Sequence, residues 1–423
     1  MNTSKENRFV FDSFLGIINN VIAQGSNLFI GVVIGRFWGA ATFGDYSGIL
    51  TLVGTIGIVC NFGTQVILGR EVARCSKKFP LYMSNALGVR LFISTPSTII
   101  LSAAVSYLFL DVESIQGLTL FLIIIYAIGL GLQQLFFTAC LSLGHMKAWA
   151  VNNSIFKVLS SLAVMLCALA DTLFFGVISL FTVLCFCSVF LLYLWQCKNI
   201  RFFYPQINIR FAKAFIMKSF PLSMGGMAEF LNLRLDTILI LAILGSTQTG
   251  YYSVAAQIYL TVSAFPLIFL KVFSPIFIEK LSFSKHTAFA LLIKKIWSFL
   301  CSSIIIGLLM GITAPFAVTI LYGDSFFPAV RFLVILCFAF PFLIMNRLFI
   351  NILVALREEN FYVRISWVGV FINVLGNYFM IPVIGASGAA FSTCITEAFI
   401  CFTTGMRVYS HYQQISGRSQ VAD

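Results

Sequence analysis

Charged residues are scarce in this sequence: only 10% of its 423 residues are Asp, Glu, Lys or Arg, whereas ordinary soluble domains carry roughly 25%. Hydrophobic residues make up 60% of the chain. Apolar segments recur from Ser13 to Arg407, each near the 20 or so residues that a membrane-spanning helix needs. No room is left for a sizeable soluble domain, so the composition predicts an integral membrane protein whose function resides among its helices.

The residues that build metal and nucleotide sites are missing or scattered. The three His do not cluster, and the eleven Cys lie singly without C-x-x-C spacing, so we expect neither metal sites nor disulfides. No G-x-x-x-x-G-K-[ST] phosphate loop occurs, nor does a hydrolase, kinase or zinc motif. The sequence therefore predicts a protein that is not an enzyme and uses no cofactor.

Twelve spans are predicted from the apolar windows and the turn residues between them. They lie near residues 13–35, 46–69, 84–110, 115–142, 150–170, 173–196, 217–244, 250–277, 291–321, 329–355, 361–382 and 385–407. Basic residues concentrate in alternate loops, while the opposite loops hold Asp45, Asp111, Glu113, Asp171 and Asp324. The positive-inside rule then places both termini in the cytoplasm and attributes the net charge of +12 to membrane topology, without nucleic acid as a partner.

The second half of the chain repeats the first. Gly39-Ala-Ala-Thr-Phe-Gly44-Asp-Tyr-Ser47 joins spans one and two, and Gly245-Ser-Thr-Gln-Thr-Gly250-Tyr-Tyr-Ser253 joins spans seven and eight. Both glycines, a tyrosine and the serine match. We therefore predict an all-α membrane fold of twelve transmembrane helices in two six-helix bundles, residues 1–197 and 218–423, related by a parallel pseudo-two-fold repeat.

A basic segment, residues 198–217, is the predicted cytoplasmic linker between the bundles. Two interpretations stay open: it lies along the inner membrane surface with its cations near anionic headgroups, or it is a solvated linker whose charge sets the topology.

Several motifs resemble those of a known family. They are the segment from Asn373 to Ala390 followed by Glu397, Arg234-x-Asp236 with the loop from Gly245 to Tyr252, and Leu321-Tyr-Gly323-x-x-Phe326. The sequence resembles bacterial polysaccharide exporters of the multidrug/oligosaccharidyl-lipid/polysaccharide superfamily, in particular the Wzx-type O-antigen flippases.

The resemblance implies a flippase of the bacterial inner membrane. Its substrate would be an undecaprenyl-diphosphate-linked sugar repeat unit, moved from the inner to the outer leaflet by alternating access with proton or cation coupling. Its partners would be this lipid-linked oligosaccharide, membrane lipid, and a polysaccharide polymerase and chain-length regulator. The alternatives are a multidrug or small-molecule exporter of the same superfamily and, less favoured, a membrane-embedded sugar polymerase or ligase.

Polar and basic residues inside the spans are the candidate substrate contacts. Asn20, Gln24 and Asn27 form one stripe on span one at i, i+4 and i+7. Arg90, Lys157, Lys271 and Arg347 lie on the cytoplasmic halves of their spans, where they either bind the diphosphate or snorkel to the headgroups. Arg234, at mid-span, reaches neither surface easily, so we expect it in a cavity or an ion pair.

Three intramembrane acids are the candidate ion-coupling residues. Glu229 and Asp236 are seven residues apart, so a helix directs them to nearly the same side, while Arg234 points to another. Glu397 lies midway along the last span. Each acid either changes protonation as access alternates or is locked in a structural ion pair.

Overall fold

The structure is a computed structural model that describes residues 3–109, 117–170, 174–199, 204–206 and 208–419. Its helices are, in chain order, α1 (Thr3–Cys60), α2 (Thr64–Arg74), α3 (Phe79–Val89), α4 (Thr95–Phe109), α5 (Gly117–Ser142), α6 (Met146–Leu169), α7 (Phe174–Asn199), α8 (Ile209–Leu244), α9 (Ser246–Phe283), α10 (Lys285–Tyr322), α11 (Ala329–Ala355), α12 (Glu359–Ile384) and α13 (Ala386–Ser419). Within these residues no strand occurs, so the all-α prediction is confirmed.

The helices fall where the twelve spans are predicted. The two parts of α1, before and after Gly39, carry span one and the start of span two, and α3 and α4 share span three. Eight helical segments of the described chain are long and apolar enough to cross a membrane, the first of them covering both parts of α1. The protein is therefore a multi-pass membrane protein.

Two predicted spans are less regular than expected. The second is interrupted at Phe62 and Gly63, whose left-handed backbone (φ 49° and 66°) ends α1 before α2 begins. The third contains a π-helical turn, Arg90–Ser94, between α3 and α4. Leu110, the last residue of predicted span three, lies outside the described residues, as do Asp111, Glu113 and Asp171, which the sequence places in loops.

The described chain divides into two compact units. Unit 1 comprises residues 1–37 and 49–227, and unit 2 comprises 38–48 and 228–423. The boundary between the two units in the middle of the chain therefore falls within α8, after Met227, whereas the sequence places it in the linker 198–217. The reason is that α8 already begins at Ile209, and its first turns pack within unit 1.

Each unit has its own apolar core. In unit 1, Phe79, Met83, Phe136 and Phe215 join helices α3, α5 and α8. In unit 2, α11 is the central helix, with α9, α10 and α13 packed against it. Its residues Leu348 and Ile352 form a buried cluster with side chains that include Phe277, Phe289 and Val408.

The repeated segments adopt the same backbone conformation. Gly39 has φ 81° and ψ −179°, and Gly245 has φ 80° and ψ −178°, so both break a helix in the left-handed region that favours glycine. Both segments belong to unit 2, and their last serines, Ser47 and Ser253, hydrogen-bond through their hydroxyls at 2.7 Å, 206 positions apart. The duplication inferred from sequence is thus visible as matching geometry.

The repeated segments also approach each other reciprocally. A Cβ atom on Gly44 would lie 1.8 Å from the carbonyl oxygen of Ser246, and one on Gly250 would lie 2.0 Å from that of Ala40. Ser246 additionally donates a hydrogen bond to Asp45. Only glycine fits at both close approaches.

Candidate functional site

Lys157 of unit 1 is held by a neutral partner. Its ammonium Nζ donates to the side-chain oxygen of Asn27 at 2.9 Å, which joins α6 to the predicted polar stripe on α1. Asn27 is exposed and Lys157 half-buried. Because an amide oxygen orients the ammonium without neutralising it, the charge of Lys157 stays available to an anion.

The other two residues of the α1 stripe differ from the adjacent Asn19 in their contacts. Asn20 and Gln24 are half-buried, and neither side chain forms a hydrogen bond with any residue that the structure describes. Asn19, which the sequence analysis did not single out, is buried and accepts hydrogen bonds from Asn153 and Ser154 of α6 at 3.0 and 3.2 Å. Asn19 thus connects α1 to α6, whereas the side-chain amides of Asn20 and Gln24 have no hydrogen-bond partner in the described chain.

Arg90 lies in the π-helical turn and is 3% exposed, so it does not snorkel to the headgroups. Its guanidinium donates to the carbonyl oxygen of Gly131 at 2.9 Å, while Nε is buried without a partner. No carboxylate of the described chain pairs with it. Arg90 is therefore a buried cation whose charge is not balanced by any acid among the described residues.

Arg234 of unit 2 is half-buried on α8. It forms neither a hydrogen bond nor an ion pair with the part of the chain that is described, and specifically none with Asp236. The prediction that Arg234 points to another side of the helix than Asp236 is consistent with this. Lys271 is a residue of α9, and its side chain lies outside the described part.

Asp236 is 3% exposed and surrounded by neutral donors. Its carboxylate accepts hydrogen bonds from Tyr252 and Asn377, each at 2.7 Å, and from the hydroxyl of Thr393. No cation of the described residues pairs with it. Because burying an unpaired charge costs several kcal/mol, this arrangement favours neutralisation by a proton or a small cation.

Two amide atoms beside Asp236 lack partners. Asn377 also donates to the side-chain oxygen of Asn373 at 2.9 Å, which leaves the oxygen of Asn377 and the nitrogen of Asn373 buried without a hydrogen bond. An oxygen of this kind next to a carboxylate is a suitable ligand for a small hard cation. Four helices, α8, α9, α12 and α13, supply the side chains of this group.

Glu229 and Glu397 differ in their partners. Glu229 forms an ion pair with Arg347 of α11 and accepts a hydrogen bond from Tyr362 of α12 at 3.3 Å. Glu397 is 3% exposed and accepts a hydrogen bond from Asn346, the residue before Arg347, at 3.1 Å. Arg347 is therefore the counterion of Glu229 within unit 2.

The residues that the sequence analysis missed are uncharged. Asn19, Tyr252, Asn346 and Thr393 complete the contacts around the predicted charges. Tyr252 was noted only as a residue matched in the repeat, and spacing alone gives no signal for the others.

The two units differ in their intramembrane charges. Within the predicted spans of unit 1, Arg90 and Lys157 occur without any Asp or Glu. Those of unit 2 contain three acids, Glu229, Asp236 and Glu397, together with eight basic residues: Arg234, Lys271, Lys294, Lys295, Arg331, Arg347, Arg364 and Arg407. Unit 1 can thus attract an anion, while unit 2 contains the groups that can exchange a proton or cation.

The comparison with protein families identifies the chain. A family model described as polysaccharide biosynthesis protein matches residues 12–281. The chain belongs to this family. No curated protein matches this chain at a significant level.

Solved structures of transporters share the fold of this family member. The inward closed conformation of the lipid II flippase MurJ is 14% identical over 95% of this chain and 87% of that chain, with a TM-score of 0.71. The Vibrio cholerae MATE transporter VcmN in its bent form is 13% identical over 96% and 97% of the two chains, with a TM-score of 0.64. The fold is therefore the one seen in MurJ and in the MATE transporter VcmN.

Proposed function

We propose that this family member is a flippase for an undecaprenyl-diphosphate-linked oligosaccharide, such as an O-antigen repeat unit, in the bacterial inner membrane. The observation that carries the proposal is the unbalanced positive charge of Arg90 and Lys157 in unit 1, which fits an anionic diphosphate. A cationic drug, the substrate class of the competing proposal, would be repelled by the same charges. Family membership supports a role in polysaccharide biosynthesis.

The sugar part of the substrate needs polar groups along the path, because unsatisfied hydroxyls in hydrocarbon are costly. Asn20, Gln24 and Asn27 supply amide donors and acceptors on the same helix that meets Lys157. We expect the diphosphate near Lys157 and the first sugars along this stripe. Arg234, without a partner in the described chain, is the corresponding candidate contact in unit 2.

Coupling to a proton or cation gradient is assigned to unit 2. Asp236 is the principal candidate, since only neutral donors surround it, and Glu397 is the second. Glu229 forms an ion pair with Arg347. This ion pair would have to break before Glu229 could bind a proton or a cation.

The Lys157→Ala variant tests the substrate assignment. A lost charge-assisted hydrogen bond costs roughly 1.5–3 kcal/mol, so we expect translocation of the lipid-linked oligosaccharide in proteoliposomes to slow about tenfold or more. Lys157→Arg should retain most of the rate. Lys147→Ala, on the same helix but exposed and outside the predicted span, is the matched control. An unchanged rate in Lys157→Ala, or a wild type that exports only a cationic drug, would reject the proposal.

A further inference from the structure

Two basic segments that are far apart in the sequence form one surface of unit 1. The first runs from Arg70 to Lys78 and the second from Arg210 to Lys218 at the start of α8. The ring of Tyr82, just after the first segment, packs against Phe211 at 5.5 Å and Phe215 at 6.1 Å between ring centroids. The segments are therefore fixed side by side by packed aromatic rings.

Further contacts hold the chain that leads into α8 in place. The amide N–H of Gln206 donates to the carbonyl oxygen of Ser84 at 3.1 Å, and that of Asn208 to the side chain of Asn85 at 3.4 Å. The side chain of Asn208 in turn caps the first turn of α8 by accepting from the N–H groups of Arg210 and Phe211. The described part of the predicted linker thus docks on α3.

The surface has a strong surplus of positive charge. Its seven basic side chains are all exposed: Arg70, Arg74, Lys77, Lys78, Arg210, Lys213 and Lys218. The described parts of the two segments contain one acid, Glu71, which Lys218 contacts at 3.1 Å and Arg74 at 3.9 Å. The hydrogen bond from Lys218 lowers the pKa of Glu71, so this carboxylate stays ionised and neutralises only one of the seven charges.

Apolar side chains are exposed beside these cations. Ile209, Met217 and Leu81 are 78%, 66% and 53% exposed, whereas Ala212 and Phe215 on the opposite side of α8 are buried. A helix start with one buried face and one basic, partly apolar exposed face is typical of a segment in the interfacial plane of a bilayer. A soluble acidic partner would match the charges but not the exposed hydrocarbon.

We propose that this basic surface, the seven cations with Ile209, Met217 and Leu81, is a binding site for the headgroups of anionic phospholipids. The cations contact the phosphates, and the three apolar side chains enter the upper acyl region. Each basic residue near an anionic membrane surface strengthens binding by about fivefold. The site recognises bulk lipid and is independent of the substrate assigned to the spans.

The test uses the full chain in phosphatidylcholine vesicles that contain a trace of spin-labelled phosphatidylglycerol or spin-labelled phosphatidylcholine. The immobilised fraction of each label gives the preference for the anionic lipid. The test variant is Lys77→Gln, Lys78→Gln and Lys213→Gln combined. The matched control, Lys280→Gln, Lys294→Gln and Lys295→Gln combined, removes the same charge from exposed lysines of unit 2.

We expect the wild type and the control to prefer phosphatidylglycerol several-fold and the test variant to lose most of this preference. Raising the salt from about 0.1 M to 1 M should weaken the preference of the wild type, since the Debye length falls from about 10 Å to 3 Å. An equal loss in both variants would mean that net charge alone acts and would overturn the proposal. Displacement of the label by an equimolar amount of a polyprenyl diphosphate, but not by unlabelled phosphatidylglycerol, would overturn it in favour of a substrate-loading surface.

Discussion

At the scale of single residues, the charged side chains of unit 2 differ in how firmly they are held. Arg347 is 14% exposed at its side chain, and its partner Glu229 is 41% exposed. Removing Glu229 takes the ion-pair partner away from a largely buried guanidinium, whereas removing Arg347 leaves an acid that water can still reach. The two single changes should therefore be unequal in cost.

We predict that Glu229→Gln and Arg347→Gln each lower thermal stability, and that the double variant is more stable than the sum of the two losses predicts. The coupling free energy should lie in the range of roughly 0.5–3 kcal/mol found for residues in contact. Thermal unfolding of the four proteins in detergent measures it. Strictly additive losses would show that the ion pair does not form in the membrane protein.

The charged residues inside the spans could be predicted from the sequence, but their hydrogen-bond partners could not. Asp236, Glu397 and Arg90 were identified from the sequence, because charged residues are rare inside apolar spans. The partners of Asp236 were not, since Tyr252, Asn377 and Thr393 lie 16, 141 and 157 positions away. Only the packing of four helices brings such neutral groups together.

At the scale of helices, the twelve predicted spans and the repeat were found from the sequence because apolar length and matching glycines are local signals. The breaks inside the spans were missed. The π turn at Arg90 and the left-handed residues Phe62 and Gly63 depend on what packs around them, for which the sequence gives no periodic signal. The start of α8 at Ile209 was missed for the same reason, since that part of α8 is amphipathic rather than uniformly apolar.

We predict that Gly250→Ala destabilises the protein strongly, because the added methyl group would lie 2.0 Å from the carbonyl oxygen of Ala40. Overpacking of this kind typically costs 1–3 kcal/mol, and more where backbone cannot move. Gly57→Ala is the control, since a Cβ atom there meets nothing within 4 Å. Thermal unfolding in detergent distinguishes the two, and equal stability of both variants would refute the close approach.

At the scale of the whole molecule, the charges suggest a division of labour between the units. The charged residues in the predicted spans of unit 1 are all basic, and those of unit 2 include all three intramembrane acids. If an ion gradient drives the proposed transport, some side chains must bind the coupling ion. Unit 2 supplies candidate groups for it.

We predict that Asp236→Asn abolishes the dependence of translocation on a pH or sodium gradient, because an amide can neither release a proton nor balance a cation. The rate in proteoliposomes is measured with and without each gradient. Asp324→Asn is the control, since Asp324 is exposed in the connection between α10 and α11. A wild type whose rate responds to neither gradient would reject the coupling proposal.

The hydrogen bond between Ser47 and Ser253 joins equivalent positions of the two repeats. Equivalent positions of two repeats touch only where the symmetry axis passes between them, and the reciprocal contacts of Gly44 and Gly250 obey the same rule. In a symmetric homodimer of six-helix subunits, a single serine would meet its own copy there, and a single glycine would serve both approaches. The contacts between the two repeated segments thus have the form of an isologous interface within one polypeptide.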